Sequence, residues 1–174
     1  VSAALLAVSA YSQPCGSNQN RYSDQPIFSA ESIVELLDQD YGTANDYNGN
    51  PQTLFFDLYS PPETDPVNKR PLVILVHGGG FTQGQRTHMA GLCKMYARRG
   101  FVAATISYRL DPEVIGNQCS RPQSQRFDAT YRAIQDLNAA LRYFTANAGQ
   151  YRINRNWIFI GGSSAGGVTV LNTA

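Results

Sequence analysis

Short apolar runs, separated by polar breaks rich in glycine and proline, set the pattern of this 174-residue chain. Leu72-Val73-Ile74-Leu75-Val76 is continuously apolar, as a central parallel strand covered on both faces requires. Residues 101–108 predict a second buried strand, and Trp157-Ile158-Phe159-Ile160 a third. Residues 53–59 alternate instead, with Leu54, Phe56 and Leu58 against Phe55, Asp57 and Tyr59. That predicts a strand with one richer face, at an antiparallel edge. Helical spacing appears in two places. Residues 87–99 carry Met89, Leu92, Cys93 and Tyr96 on one face and stop at Gly100. Residues 128–148 repeat Ile134, Leu137, Leu141 and Phe144 at intervals of three and four, flanked by Ala133 and Ala140, and close at Gly149. Residues 31–37 fit either a strand or a short helix. Residues 46–51 are turn chemistry, and 111–125 a loop with two prolines.

The resulting order is strand, strand, helix, strand, helix, strand, turn and helix start. Alternating elements of this kind imply an α/β fold with a doubly wound, mostly parallel sheet. Residues 50–174 form the body of that domain, residues 13–49 an irregular N-terminal segment, and residues 1–12 a remnant of a secretory signal peptide. The opening stretch, residues 1–10, is small, apolar and uncharged, and Ala10-Tyr11-Ser12 offers a cleavage site of small residues. The expectation is a secreted or periplasmic protein with no stable membrane insertion.

Charge narrows the partners. Lys and Arg number 14 against 13 Asp and Glu, a net charge of +1, so nothing attracts nucleic acid or an anionic membrane. Arg98-Arg99, the one basic doublet, reads as a solvated helix end, where cations suit the dipole. Three cysteines fit an exported protein with one disulfide and one spare thiol. Cys15 and Cys119 lie in polar stretches and are the better pair, while Cys93 reads as a buried small hydrophobe. No Cys/His cluster suggests a metal.

Two glycine-rich turns carry the chemistry. Gly162-Ser163-Ser164-Ala165-Gly166 follows an apolar strand, and only Ser164 has glycine two places away on both sides. A G-x-S-x-G turn between strand and helix lifts a serine oxygen clear of the sheet, and side chains at Gly162 and Gly166 would crowd it. Ala165 would open the helix and present its amide to an oxyanion. His77-Gly78-Gly79-Gly80-Phe81 follows the central strand. Without Cβ atoms, Gly79 and Gly80 can turn their amides toward a substrate oxygen, while Gly78 permits the turn. His77 is expected to brace this loop by hydrogen bonds, and Phe81 either lines an acyl pocket or packs beneath the loop. His88 reads as an exposed loop or helix-start residue, and Asp136 as an ion-pair partner of Arg132 one turn away. Tyr108-Arg109 is expected to pack or to form a salt bridge.

Residues 70–81, Ser107-Tyr108-Arg109-Leu110 and residues 160–167 resemble the α/β-hydrolase carboxylesterases and lipases with an HGGG loop, exported bacterial carboxylesterases above all. The resemblance covers about residues 50–174. It implies hydrolysis of a small-molecule carboxylic ester through an acyl-serine, with no metal or organic cofactor. It matches Ser164 to the nucleophile and Gly79, Gly80 and Ala165 to the oxyanion hole. The family's acid and histidine follow the serine, whereas both histidines here precede it. The expectation is therefore an incomplete domain, truncated after the nucleophile turn and inactive alone. A non-catalytic binding module of this fold, or a serine peptidase, is the alternative.

Overall fold

A computed structural model describes residues 21–111 and 122–173. The expected leader, Cys15 and Cys119 lie outside the described residues.

Five strands form one mixed sheet in the order β1-β2-β4-β3-β5. They are β1 (Val34–Asn45), β2 (Pro51–Ser60), β3 (Arg70–Val76), β4 (Val102–Ile106) and β5 (Ile153–Gly162). β4, β3 and β5 run parallel, and β1 and β2 add antiparallel at one side. Among the described residues three α-helices connect or follow them: α1 (Ala90–Ala97), α2 (Gln123–Ala146) and α3 (Ala165–Leu171). β3 is buried at every position, as its unbroken apolar run requires.

The two faces of the sheet make two cores, because alternate residues of a strand point to opposite sides. Val73, Leu75, Tyr59 and Ala103 meet Met89, Cys93 and Ala97 from α1. Leu72, Ile74, Val76, Phe56, Leu58 and Ala104 meet Ala133, Leu137, Ala140 and Phe144 from α2. Helices thus cover both faces, as the alternating pattern predicts.

Several expectations need correction. β2 is not an edge strand: β1 covers its outer side, and Phe56, Asp57, Leu58 and Tyr59 are all buried. β1 itself occupies much of the segment expected to be irregular. Two register shifts, between Leu36 and Gln39 and between Asp40 and Gly42, reset its alternation and hide it from a period-two reading. α2 begins five residues before the expected start, at Gln123. Its most buried stripe runs through Ala129, Ala133, Asp136, Leu137, Ala140 and Phe144, leaving Ile134 and Leu141 only partly buried. Small residues there let the helix lie close to the sheet. On α1, Cys93 and Met89 are buried as expected, but Leu92 is 44% exposed.

Arg98 and Arg99 are not simply solvated. Carbonyl groups of both accept backbone hydrogen bonds from Tyr22, Ile27 and Phe28, and both guanidinium groups donate to carbonyl oxygens of residues 24–28. They fasten the N-terminal segment to the end of α1. Gly100, at φ +97°, then reverses the chain into β4, as the helix-stop reading expects.

Candidate active site

The central strand β3 and its neighbour β5 end side by side, and each ends in a glycine-rich turn. This parallel pairing brings residues 77–81 and 162–166 together although 80 or more positions separate them in sequence. Val76 pairs with Gly162, and the amide of Ser163 donates to the Val76 carbonyl at 3.1 Å.

Ser164 is the junction between β5 and α3. Its backbone sits at φ 51°, ψ −117°, a conformation that costs a non-glycine residue about 1–3 kcal/mol. The residue is exposed, whereas Ala165 beside it is buried. The turn closes through Gly166 N–H to Ser163 O and Val168 N–H to Ser164 O. A Cβ on Gly162 would stand 2.4 Å from the Gly166 backbone, and one on Gly166 2.2 Å from the Val76 carbonyl oxygen. The expected crowding at both positions is therefore real. A Cβ on Gly78 would approach Ser163 O to 3.0 Å and Ser164 Cβ to 3.1 Å. The two turns are in direct contact.

The loop after β3 is held in an unusual path. Gly79, Gly80 and Phe81 take φ of +127°, +62° and +66° in succession. The Gly79 carbonyl accepts from the amides of Thr82 and Gln83 and from the Thr82 hydroxyl. Among the described residues, the amides of Gly79 and Gly80 have no protein acceptor. The Ala165 amide lies in the first turn of α3, where no intrahelical acceptor exists. Gly80 and Ala165 line the same cavity as Ser164.

His77 is 1% exposed and turned into the protein. Its Nδ1 donates to the Gly78 carbonyl at 2.7 Å, and its ring stacks on Tyr108 at 4.4 Å. Burial holds the imidazole below its ordinary pKa, against the smaller opposing effect of that hydrogen bond. It braces the loop through its hydrogen bond, as the sequence suggests. His88 is exposed on the short 3-10 turn Arg86–Met89.

Two further residues prove to support the site. The Tyr108 hydroxyl donates to the His77 carbonyl at 3.0 Å, and its ring meets the edge of Phe81. Arg109 and Asp136 form a buried pair at 2.7 Å, with the Arg109 amide donating to the same carboxylate. The Arg109 guanidinium also reaches the carbonyl of Asn45, tying β1 to α2 and to the chain after β4. Arg132, the partner expected for Asp136, pairs with Asp111 instead. A helix-face reading considers only neighbours on one helix and cannot see the loop that arrives from β4. The salt bridge expected for Tyr108-Arg109 was the available signal.

A cavity of about 400 Å³ opens over Ser164, lined by Gly80, Phe81, Arg126, Thr130, Ala165 and Val168. Phe81 lines this cavity and packs on the core beneath. Among the described residues, the lining contains no imidazole or carboxylate. A larger cavity of about 520 Å³ between β1 and α2 includes Arg109 and Asp136 but not Ser164. Among the described residues, no group of three or more His, Cys, Asp or Glu could hold a metal ion.

The profile of the BD-FAE family matches residues 56–173. Pyrethroid hydrolase Ces2a of Mus musculus is 32% identical over 117 residues, 67% of this chain and 20% of that protein. Esterase LipI of Mycobacterium tuberculosis is 30% identical over 111 residues, 63% of this chain and 30% of that protein. Among solved structures, Thermogutta terrifontis esterase 2 phosphorylated by paraoxon aligns with a TM-score of 0.58 at 20% identity, covering 81% of this chain and 47% of that one. Its butyrate-bound form gives the same TM-score and identity over 81% of this chain and 44% of that one. At such identity the likeness shows the fold alone. The chain therefore spans a minor part of the length of the relatives it matches. A strand-turn-helix serine braced by a glycine loop, a mixed sheet covered on both faces and a profile match over residues 56–173 agree: the chain belongs to the BD-FAE family of α/β-hydrolase esterases.

Proposed function

We propose that the protein containing this chain hydrolyses carboxylic esters through an acyl intermediate on Ser164. The observation that carries the reading is the left-handed backbone of Ser164 on the β5–α3 turn, exposed and in contact with the glycine loop after β3. The Ser164 oxygen attacks the ester carbonyl, its proton passes to a base, and the charge on the carbonyl oxygen falls on the amides of Gly79, Gly80 and Ala165. Collapse expels the alcohol, which takes the proton, and water then releases the acid by the same route in reverse. A pre-aimed amide of this kind typically contributes ~10²–10³ in rate.

Neither histidine suits the role of base. His77 is buried, stacked and hydrogen-bonded through Nδ1, and the described residues lining the cavity over Ser164 include no imidazole or carboxylate. We assign the base and its acidic partner to residues outside this chain, in keeping with the minor share of its relatives' length that it spans.

The test uses the protein produced from its whole coding sequence. A fluorophosphonate probe should label the wild type, and 4-nitrophenyl butyrate should be turned over. Ser164→Ala should abolish labelling and lower turnover by several orders of magnitude. Labelling that persists in Ser164→Ala, or a folded wild type that neither labels nor turns over ester, rejects the reading.

A further inference from the structure

Among the described residues lining the cavity over Ser164, one carries a formal charge. Arg126 lines it, while the rest of the wall is glycine, alanine, Phe81, Val168 and the Thr130 hydroxyl. Among the described residues the Arg126 guanidinium has no carboxylate, carbonyl or ring partner; the hydrogen bonds at this residue are made by its backbone, to the Pro122 carbonyl and from the Thr130 hydroxyl. Arg21, Arg70, Arg86, Arg109 and Arg132 are each paired with a carboxylate; Arg142 and Arg155 also lack a carboxylate partner among the described residues, but neither lines this cavity.

Helix stability does not explain this placement. Arg126 is the fourth residue of α2, near the positive end of a 24-residue helix whose first turn has no acidic residue. A cation there opposes the helix dipole instead of complementing it. It also gives the mouth of the cavity two positive contributions, the helix end and the guanidinium, with no carboxylate among the described lining residues. A planar guanidinium with free donors is suited to a carboxylate.

Resting on the esterase reading above, we propose that Arg126 makes the site selective for esters that carry an additional ionised carboxylate, on either the acid or the alcohol part. Bound with the ester carbonyl at Ser164, such a substrate would place its carboxylate against the Arg126 guanidinium.

Two pairs of substrates locate the charge. The first compares 4-nitrophenyl hemiglutarate with neutral 4-nitrophenyl pentanoate, placing the anion on the acyl part. The second compares 4-acetoxybenzoate with its methyl ester, placing it on the leaving group. For the protein from its whole coding sequence, kcat/KM is expected to favour the anionic member of at least one pair by about fivefold, the scale of a solvent-screened ion pair. That ratio should fall to about one or below in Arg126→Gln, persist in Arg126→Lys, invert in Arg126→Glu and shrink as salt is added. The arm in which this happens identifies the part of the ester that bears the charge. Equal ratios in wild type and Arg126→Gln in both arms overturn the proposal while leaving the esterase reading intact. Absence of turnover on the neutral esters, with no fluorophosphonate labelling of Ser164, overturns both.

Discussion

At Ser164 and around it, single atoms decide whether the two turns can meet. The carbonyl oxygen of Val76 occupies the place where a Gly166 side chain would begin, 2.2 Å away. Gly166→Ala should therefore displace the start of α3, destabilising the protein by about 1–3 kcal/mol as an overpacked site does and slowing fluorophosphonate labelling. Gly91→Ala is the contrast: it lies within α1 with nothing within 4 Å of a new Cβ. Removing a helical glycine there should leave stability unchanged or raised by up to about 1 kcal/mol. Urea unfolding of both variants checks the pair.

His77 makes a second residue-scale prediction. Its folded pKa is depressed by burial, below an unfolded value of about 6.5. The unfolded chain therefore binds a proton that the folded chain refuses. Stability contributed by keeping the ring neutral is complete above that unfolded value and is lost as pH falls below it, toward the folded value. The melting temperature should drop between pH 7.5 and pH 5.5. His77→Asn, which keeps a side-chain donor for the Gly78 carbonyl, should flatten that drop. Equal slopes in the two proteins would show that the ring is not buried neutral.

At the scale of elements, Arg109 and Asp136 join three parts of the chain that are distant in sequence. Asp136 sits on the buried stripe of α2, and Arg109 follows β4 and reaches the end of β1. Burial pushes the Asp136 carboxyl above its ordinary pKa, against the lowering effect of the arginine beside it. Asp136→Asn would leave the Arg109 guanidinium buried without a counter-charge. It should cost about 3–5 kcal/mol, the range for breaking a buried pair from one side, measured as a shift of the urea midpoint. Because the next residue back, Tyr108, holds the His77 carbonyl, labelling of Ser164 should slow as well. A double variant that replaces both partners with apolar residues of similar volume should recover part of the lost stability.

For the whole molecule, the sheet is asymmetric. β1 closes one side with an antiparallel pairing, whereas β5 pairs with β3 alone among the described residues. Trp157 and Phe159 on β5 are each 53% exposed, on the sheet face served by α1. An unpaired strand edge beside exposed aromatics is a template for further pairing. The 174-residue chain produced by itself should therefore self-associate, seen as early elution and concentration-dependent scattering. The protein from its whole coding sequence should not. A monomeric, cooperatively unfolding 174-residue chain would refute this.

How much of this was legible beforehand follows the same physics. The buried strands β3 and β4, the position of β5, α2 and both glycine turns could be read from residues alone, because unbroken apolar runs, helical spacing and glycine at forced backbone angles are local constraints; the burial expected of β5 was not met, since Trp157 and Phe159 stand half exposed. β1 could not, since its bulges break the two-residue period. Nor could the partner of Asp136, since a charge on a helix face does not reveal which loop will cover it. The sequence by itself determined the chemistry at hand: a serine between glycines, amides freed by a glycine run, and elements able to present them. Only the tertiary structure decided that β3 and β5 lie adjacent and parallel, that Gly78 touches the serine turn and that Arg126 faces the same cavity. Those relations depend on strand order and on which helix covers which face, and they are settled when distant segments bury their apolar surface together.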